Sequence, residues 1–143
     1  MSLSRRSRAR QVAFQVLYQD DLNPQHNPAV ADALIRRRLR REELVAFARE
    51  LVGGVRRRRA ELDARLAAAA EHWSLSRMAA TDRNVLRLGA YEVLFSDTPD
   101  RVAIDEALDL AKRFGSAQSG AFVNGVLDRL MHHRETSAEA ADP

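Results

Sequence analysis

Between residues 85 and 95 the chain has almost no polar side: Val85, Leu86, Leu88, Gly89, Ala90, Tyr91, Val93, Leu94 and Phe95 fall all around a helix. A helix that is apolar on every face must be enclosed by other elements, so this stretch is expected to be the buried centre of the C-terminal half. Thr81 is its expected N-cap, and Asp82 places a negative charge against the positive end of the helix dipole. Pro99 cannot continue a helix and pushes Thr98 into an extended conformation, which ends the element. In the next helix Ile104, Ala107, Leu108, Ala111 and Phe114 recur at three- and four-residue spacing as the core face, and Gly115 is expected to close it in the left-handed conformation. Ser116 then caps a last helix whose stripe is Phe122, Val123, Val126, Leu127, Leu130 and Met131.

The N-terminal half carries the same period. Ser4 or Ser7 caps a first helix with Ala9, Val12, Ala13, Val16 and Leu17 as its core stripe and Gln11, Phe14, Gln15 and Tyr18 opposite. Pro24 and Pro28 bracket a loop, and Val30, Leu34, Ile35 and Leu39 mark a second helix from about Ala29. A long third helix opens at Glu42-Glu43 and runs through Leu44, Val45, Ala48, Leu51, Val52, Val55, Leu62 and Leu66 to Ala70, with Gly53-Gly54 as a close crossing or a break. Trp73 reads as a core plug at the junction that follows. Asn124-Gly125, unfavourable inside a helix, implies a side-chain hydrogen bond and a close helix contact. The fold class is therefore all-α, about seven helices in two small bundles, the first over about residues 4–72 and the second over about 73–134. Residues 135–143, acidic and aperiodic, are expected to be disordered.

Composition narrows the chemistry. There is no cysteine, so disulfides, thiolate metal sites and a cysteine nucleophile are excluded. No signal-peptide pattern or uninterrupted apolar run of membrane-spanning length occurs, and the expected location is the cytoplasm, away from membranes. No glycine-rich phosphate loop and no paired metal-binding histidines are present; His132 and His133 are adjacent and point about 100° apart on a helix. Asp105 and Asp109 share a helix face, but ion pairing with Lys112 and Arg113 accounts for Asp109. No cofactor, metal or catalytic residue is expected.

The net charge is only +3, yet of the 23 basic residues Lys112 alone is lysine. Arginine's planar fork bonds phosphate in pairs and stacks on bases. Arg5, Arg6, Arg8 and Arg10 crowd the start of the first helix, where positive charge opposes the dipole, a cost of a few tenths to about 1 kcal/mol each. Phe14 and Tyr18, four apart beside this cluster, are either a stacking platform for unpaired bases or packing against a neighbouring helix. The run over 56–59 reads first as solvated helix surface and otherwise as an enlarged electrostatic surface; because it covers more than a full turn, at least one of its arginines faces the core side, snorkels outward or pairs with an acid such as Glu61 or Asp63, and whether this run or that over 36–41 meets RNA stays open.

Three separated blocks also carry a resemblance. RSRARQVAFQVLYQ near the start, and DRNVLRLGAYEVL, VAIDEALDLAKRFG and FVNGVLDRL in the C-terminal half, resemble the NusB family of transcription antitermination factors. The resemblance runs from about Arg5 to Leu130 and is weakest over about residues 20–76. It implies a non-enzymatic role: binding single-stranded boxA RNA of nascent ribosomal RNA transcripts together with NusE, a small-subunit ribosomal protein, and joining elongating RNA polymerase to suppress premature termination. It implies RNA contacts for Arg5, Arg6, Arg8, Arg10, Tyr18, Gln118 and Phe122, although Phe122 also fits a plain core position. NusE contacts are implied for Asp82 and Arg83, and less directly for Arg77. Two alternatives stay open: a stand-alone RNA-binding domain like that fused to ribosomal RNA cytosine methyltransferases, without a methyl-donor loop of its own, and a homodimeric protein-interaction module whose arginines are solvated.

Overall fold

The computed structural model describes residues 4–141, with side chains through residue 136. Seven α-helices and one short 3-10 turn make up the described chain: α1 (Arg5–Leu22), α2 (Pro28–Leu39), α3 (Glu42–Arg57), α4 (Arg59–Ala70), the turn Leu75–Arg77, α5 (Ala80–Phe95), α6 (Asp100–Phe114) and α7 (Ser119–Ala141). Contacts divide the chain into an N-terminal unit, Met1–Arg57, and a C-terminal unit, Arg58–Pro143.

That division corrects the expected boundary near residue 72. The long third helix is interrupted at Arg58 (φ −107°, ψ 17°), and α4 packs on α5 and α7. The reason is that one stripe serves two cores: Leu44, Val45, Ala48, Leu51, Val52 and Val55 are buried in the first unit, Leu62, Leu66, Ala69 and Ala70 in the second. The Gly53-Gly54 pair, by contrast, lies within continuous helix.

In the N-terminal unit α1, α2 and α3 pack pairwise. Ser4 caps α1 by accepting a hydrogen bond from the Ser7 N–H at 3.1 Å, and Asn27 caps α2 through the Ala29 N–H at 3.0 Å. Pro28 occupies the first turn of α2, where its missing N–H has no cost. Ion pairs set the register. Arg56 makes paired bonds to Asp20 at 2.7 and 2.8 Å, and Arg49 to Asp32 at 2.6 and 2.7 Å. Burial would raise the Asp20 pKa, but hydrogen bonds from Arg56 and His26 outweigh it and hold the carboxyl below its ordinary range.

The C-terminal unit is built around α5, which is buried at every position from Asn84 to Val93. Helix α6 packs on α5 and α7, and α7 also contacts α4. A Cβ at Gly89 would stand 2.9 Å from Leu127 Cδ1 and 3.2 Å from Ala107 Cβ, so glycine is what lets α6 and α7 approach this closely. Two polar side chains in the enclosed stretch of α5 are satisfied from inside: Asn84 donates to the Ala80 carbonyl at 2.8 Å, and Thr98 Oγ1 donates to Glu92 Oε2 at 2.8 Å. Helix α5 starts at Ala80, one residue before the expected cap.

Other expectations are corrected. Gly115 is extended (φ −98°, ψ −163°), not left-handed; it is required because a Cβ would lie 2.4 Å from Ser119 Oγ and 2.7 Å from the Ala111 carbonyl. The core face of α6 is Ala103, Ala107, Leu110 and Ala111, while Ile104 and Leu108 are only half-buried and line an open groove with Met131 and Asn124. Asn124 is exposed, and a Cβ at Gly125 would meet nothing nearer than Arg129 Nη1 at 3.5 Å, so no close helix crossing depends on that pair. Helix α7 continues through residue 141, in place of the disorder expected from 135; Glu and Ala are strong helix formers and carry the helix onward. Asp142 and Pro143 lie outside the described residues. No helix among the described residues is long and apolar enough to cross a membrane.

Candidate nucleic-acid and partner interface

The sequence-selected residues fall in both units. In the first, Arg5, Arg6 and Arg8 are exposed at the start of α1, whose first turn contains no acid. Arg10 differs: it is 3% exposed, and its guanidinium lies over the Phe47 ring at 5.1 Å. Arg6 shares the same ring at 4.5 Å. Phe47, on α3, thus holds two of the four arginines by cation–π attraction. Phe47 sits at the edge of the apolar stripe of α3, three residues after Leu44 and four before Leu51, and periodicity alone gives it no role beyond packing; an aromatic at that edge, half-buried, is the available signal.

Phe14 is 2% exposed, which resolves its open alternative in favour of packing. Tyr18 is half-buried, its ring 6.1 Å from that of Phe14 and tilted by 40°. The aromatic surface of α1 is therefore Tyr18 supported from beneath by Phe14.

In the second unit, residues assigned to two different partners line one groove. Arg77, Asp82, Gln118 and Phe122 surround a cavity of about 170 Å³ together with Trp73, Met78, Ala79, Ser116 and Ser119. Trp73, expected in the core, is 57% exposed; its ring meets Phe122 edge-on at 5.6 Å and 71°. It packs only one face because the corner after α4 carries it to the edge of the unit, not into it. Phe122 is half-buried, between its two expected roles. The groove wall is set by local bonds: the Ser116 N–H donates to Ser119 Oγ at 2.9 Å, fixing the α6–α7 corner, and the Ser116 hydroxyl donates to Gln118 Oε1 at 3.3 Å.

Asp82 contributes an incomplete group. Its Oδ1 is buried and has no hydrogen-bond partner, the one such side-chain atom among the described residues. An unsatisfied buried acceptor costs about 1–3 kcal/mol, so a donor brought by a ligand would find this oxygen ready. Arg83 is engaged internally, its Nη1 donating to the Leu75 and Met78 carbonyls, each at 3.0 Å, and so shapes the segment that carries Arg77. Arg77 itself stands exposed on the groove.

Comparison with known proteins gives one answer. A profile of the NusB family matches residues 7–132. The transcription antitermination protein NusB of Anaeromyxobacter dehalogenans (strain 2CP-1) is 46% identical over 131 residues, covering 89% of this chain and 90% of that protein, and the NusB of Bdellovibrio bacteriovorus is 37% identical over 91% and 97%. Among solved structures, T. maritima NusB superposes with a TM-score of 0.80 at 34% identity, covering 96% of this chain and 99% of that one. A crystal structure of antitermination factors NusB and NusE in complex with dsRNA gives a TM-score of 0.80 at 30% identity, over 92% and 99%. On the residues matched and the extent of the match, the chain belongs to the NusB family.

Proposed function

We propose that this protein is a transcription antitermination factor that binds the boxA element of nascent ribosomal RNA with NusE and, carried on elongating RNA polymerase, suppresses premature termination. The family is non-enzymatic, and the reading calls for no catalytic step. The observation that carries the proposal is the groove of the second unit, where an aromatic pair (Trp73 exposed, Phe122 half-buried), an amide, a cation and an unpartnered carboxylate oxygen converge. Such a set suits unpaired bases and a protein partner better than duplex phosphate. An aromatic face stacks an unpaired base, worth about 1–3 kcal/mol, and Gln118 can bond a base edge. Asp82 accepts from an arginine or lysine of NusE, and Arg77 meets a partner acid. Arg83 acts by holding the segment in place. In the first unit, Arg5, Arg6 and Arg8 supply phosphate contacts, Tyr18 supplies a second stacking surface, and Arg10 orders the cluster from beneath through Phe47.

The test is fluorescence anisotropy of a labelled boxA-like single strand against a scrambled strand, with and without purified NusE, across a salt series. Tighter binding to boxA that strengthens with NusE is the expected result. Equal, steeply salt-dependent binding to both strands, unmoved by NusE, would reject the proposal.

A further inference from the structure

The helix connections of the first unit bring a second arginine cluster to the same end as the first. Arg6 and Arg10, near the start of α1, lie on Phe47, one turn into α3. Asp20, near the end of α1, bonds Arg56 at the end of α3, so α1 and α3 run in the same direction. Helix α2 runs the opposite way: Asp32 pairs with Arg49, and Arg36 pairs with Glu42 at 3.1 Å. Its C-terminus therefore lies beside the starts of α3 and α1, at the end of the unit that already carries Arg5, Arg6 and Arg8.

That C-terminus is Arg36, Arg37, Arg38, Leu39, Arg40 and Arg41. Arg36 and Arg41 are neutralised by Glu42 and Glu43. Arg37, Arg38 and Arg40 are exposed, and none has an ion pair or side-chain hydrogen bond among the described residues. Helix-dipole complementation accounts for Arg37 and Arg38 in the last turn. It does not account for Arg40, which lies past the helix in a backbone conformation that favours glycine (φ 62°, ψ −42°). The Arg41 N–H bonds the Leu39 carbonyl across it at 2.6 Å, a strained γ-turn. A side chain kept at a cost of about 1 kcal/mol or more, where glycine would be at ease, points to use of the charge.

We propose that Arg37, Arg38 and Arg40 form a second phosphate-binding surface, continuous with the α1 cluster, that grips the RNA backbone without reading its sequence. It extends the proposed function and rests on the chain binding single-stranded RNA. All three are arginines, whose forks match phosphate oxygens, and each neutralised phosphate of a single strand contributes about 0.7 to the log–log salt slope.

The experiment measures salt slopes for the full chain on a boxA-containing single strand and on polyuridylate, comparing wild type with R37A/R38A/R40A and with the charge-matched control R57A/R65A/R101A. The expected result is a slope lower by about 2 for the first variant on both RNAs, with roughly hundredfold weaker binding near 0.1 M salt. The preference for boxA over polyuridylate and the slope of the control are expected to be unchanged. Arg40→Gly separates binding from folding, because it is expected to raise the melting temperature while weakening RNA binding about fivefold. An unchanged slope in the triple variant, or an equal fall in the control, would overturn this surface while leaving boxA preference in the wild type intact. Absence of RNA binding by the wild type would overturn both proposals.

Discussion

Arg87 grips Asp63 through two hydrogen bonds, Nε at 2.8 Å and Nη2 at 3.0 Å, and so ties α4 to the central helix α5. The arginine side chain is 5% exposed and the carboxylate 29%, so most of the pair is out of water. Removing Asp63 takes both of these bonds and a facing charge from a buried guanidinium, the costly way to break such a pair. Asp63→Ala is expected to destabilise the protein by about 2–4 kcal/mol, read as a lower urea midpoint. Arg87→Lys, which keeps the charge but loses the fork, is expected to recover less than half of the difference.

Gly89→Ala sets two effects of opposite sign against each other. Alanine favours helix over glycine by about 1 kcal/mol, yet its methyl group would press on Leu127 and Ala107 at 2.9 and 3.2 Å. Packing wins here because both neighbours sit on helices fixed by α5, and overpacking costs about 1–3 kcal/mol. Calorimetry is expected to show a lower melting temperature. A rise would mean that α6 and α7 separate easily.

Trp73→Ala distinguishes an exposed recognition residue from a core plug. With more than half of the side chain in solvent, the loss of stability is expected to stay below about 1 kcal/mol, against about 3–5 for a truncated core aromatic. Binding to RNA with NusE present is expected to weaken by about tenfold, read by anisotropy, in line with one lost stacking contact.

Asp20 predicts the acid limb of stability. Its folded pKa lies below the ordinary value of 3.8, so the ionised form is favoured in the folded state. The stability this contributes is complete above pH 3.8 and is lost as the pH falls from there through the folded pKa. Asp32 and Asp100, held low mainly by hydrogen bonds from Arg49 and Arg134, act in the same direction. Asp20→Asn is expected to lower stability at neutral pH and to flatten the fall below about pH 4, measured by urea unfolding across a pH series.

The periodicity of apolar residues carries most of the fold. The enclosed helix around Leu86 and Leu88 is legible because no face is left polar, and the family is legible because its blocks are separated but ordered. What periodicity does not reveal is where a continuous stripe changes partners. Val55 and Leu62 lie in one helical phase although they enter different cores, so their spacing gives no sign of the break at Arg58. Trp73 is misplaced by sequence because hydrophobicity specifies what a side chain prefers, not whether the corner beside it turns inward. Arg10 is misplaced for the converse reason: its charge hides an aromatic partner on another helix. The implied site residues Arg77, Asp82, Gln118 and Phe122 do share one groove, but the unpartnered oxygen of Asp82 is a property of packing that no spacing encodes.

From Asn84 to Val93 the central helix has no side left over. Its amide protons should be among the slowest to exchange with solvent, released only when the C-terminal unit opens as a whole. A stretch so enclosed has no vocabulary of its own for partners. Recognition must be written on the first turn of the helix, where Asp82 reaches the groove, and on the elements that wrap the rest, so the surface of the unit can diverge between relatives while its interior stays under a single constraint.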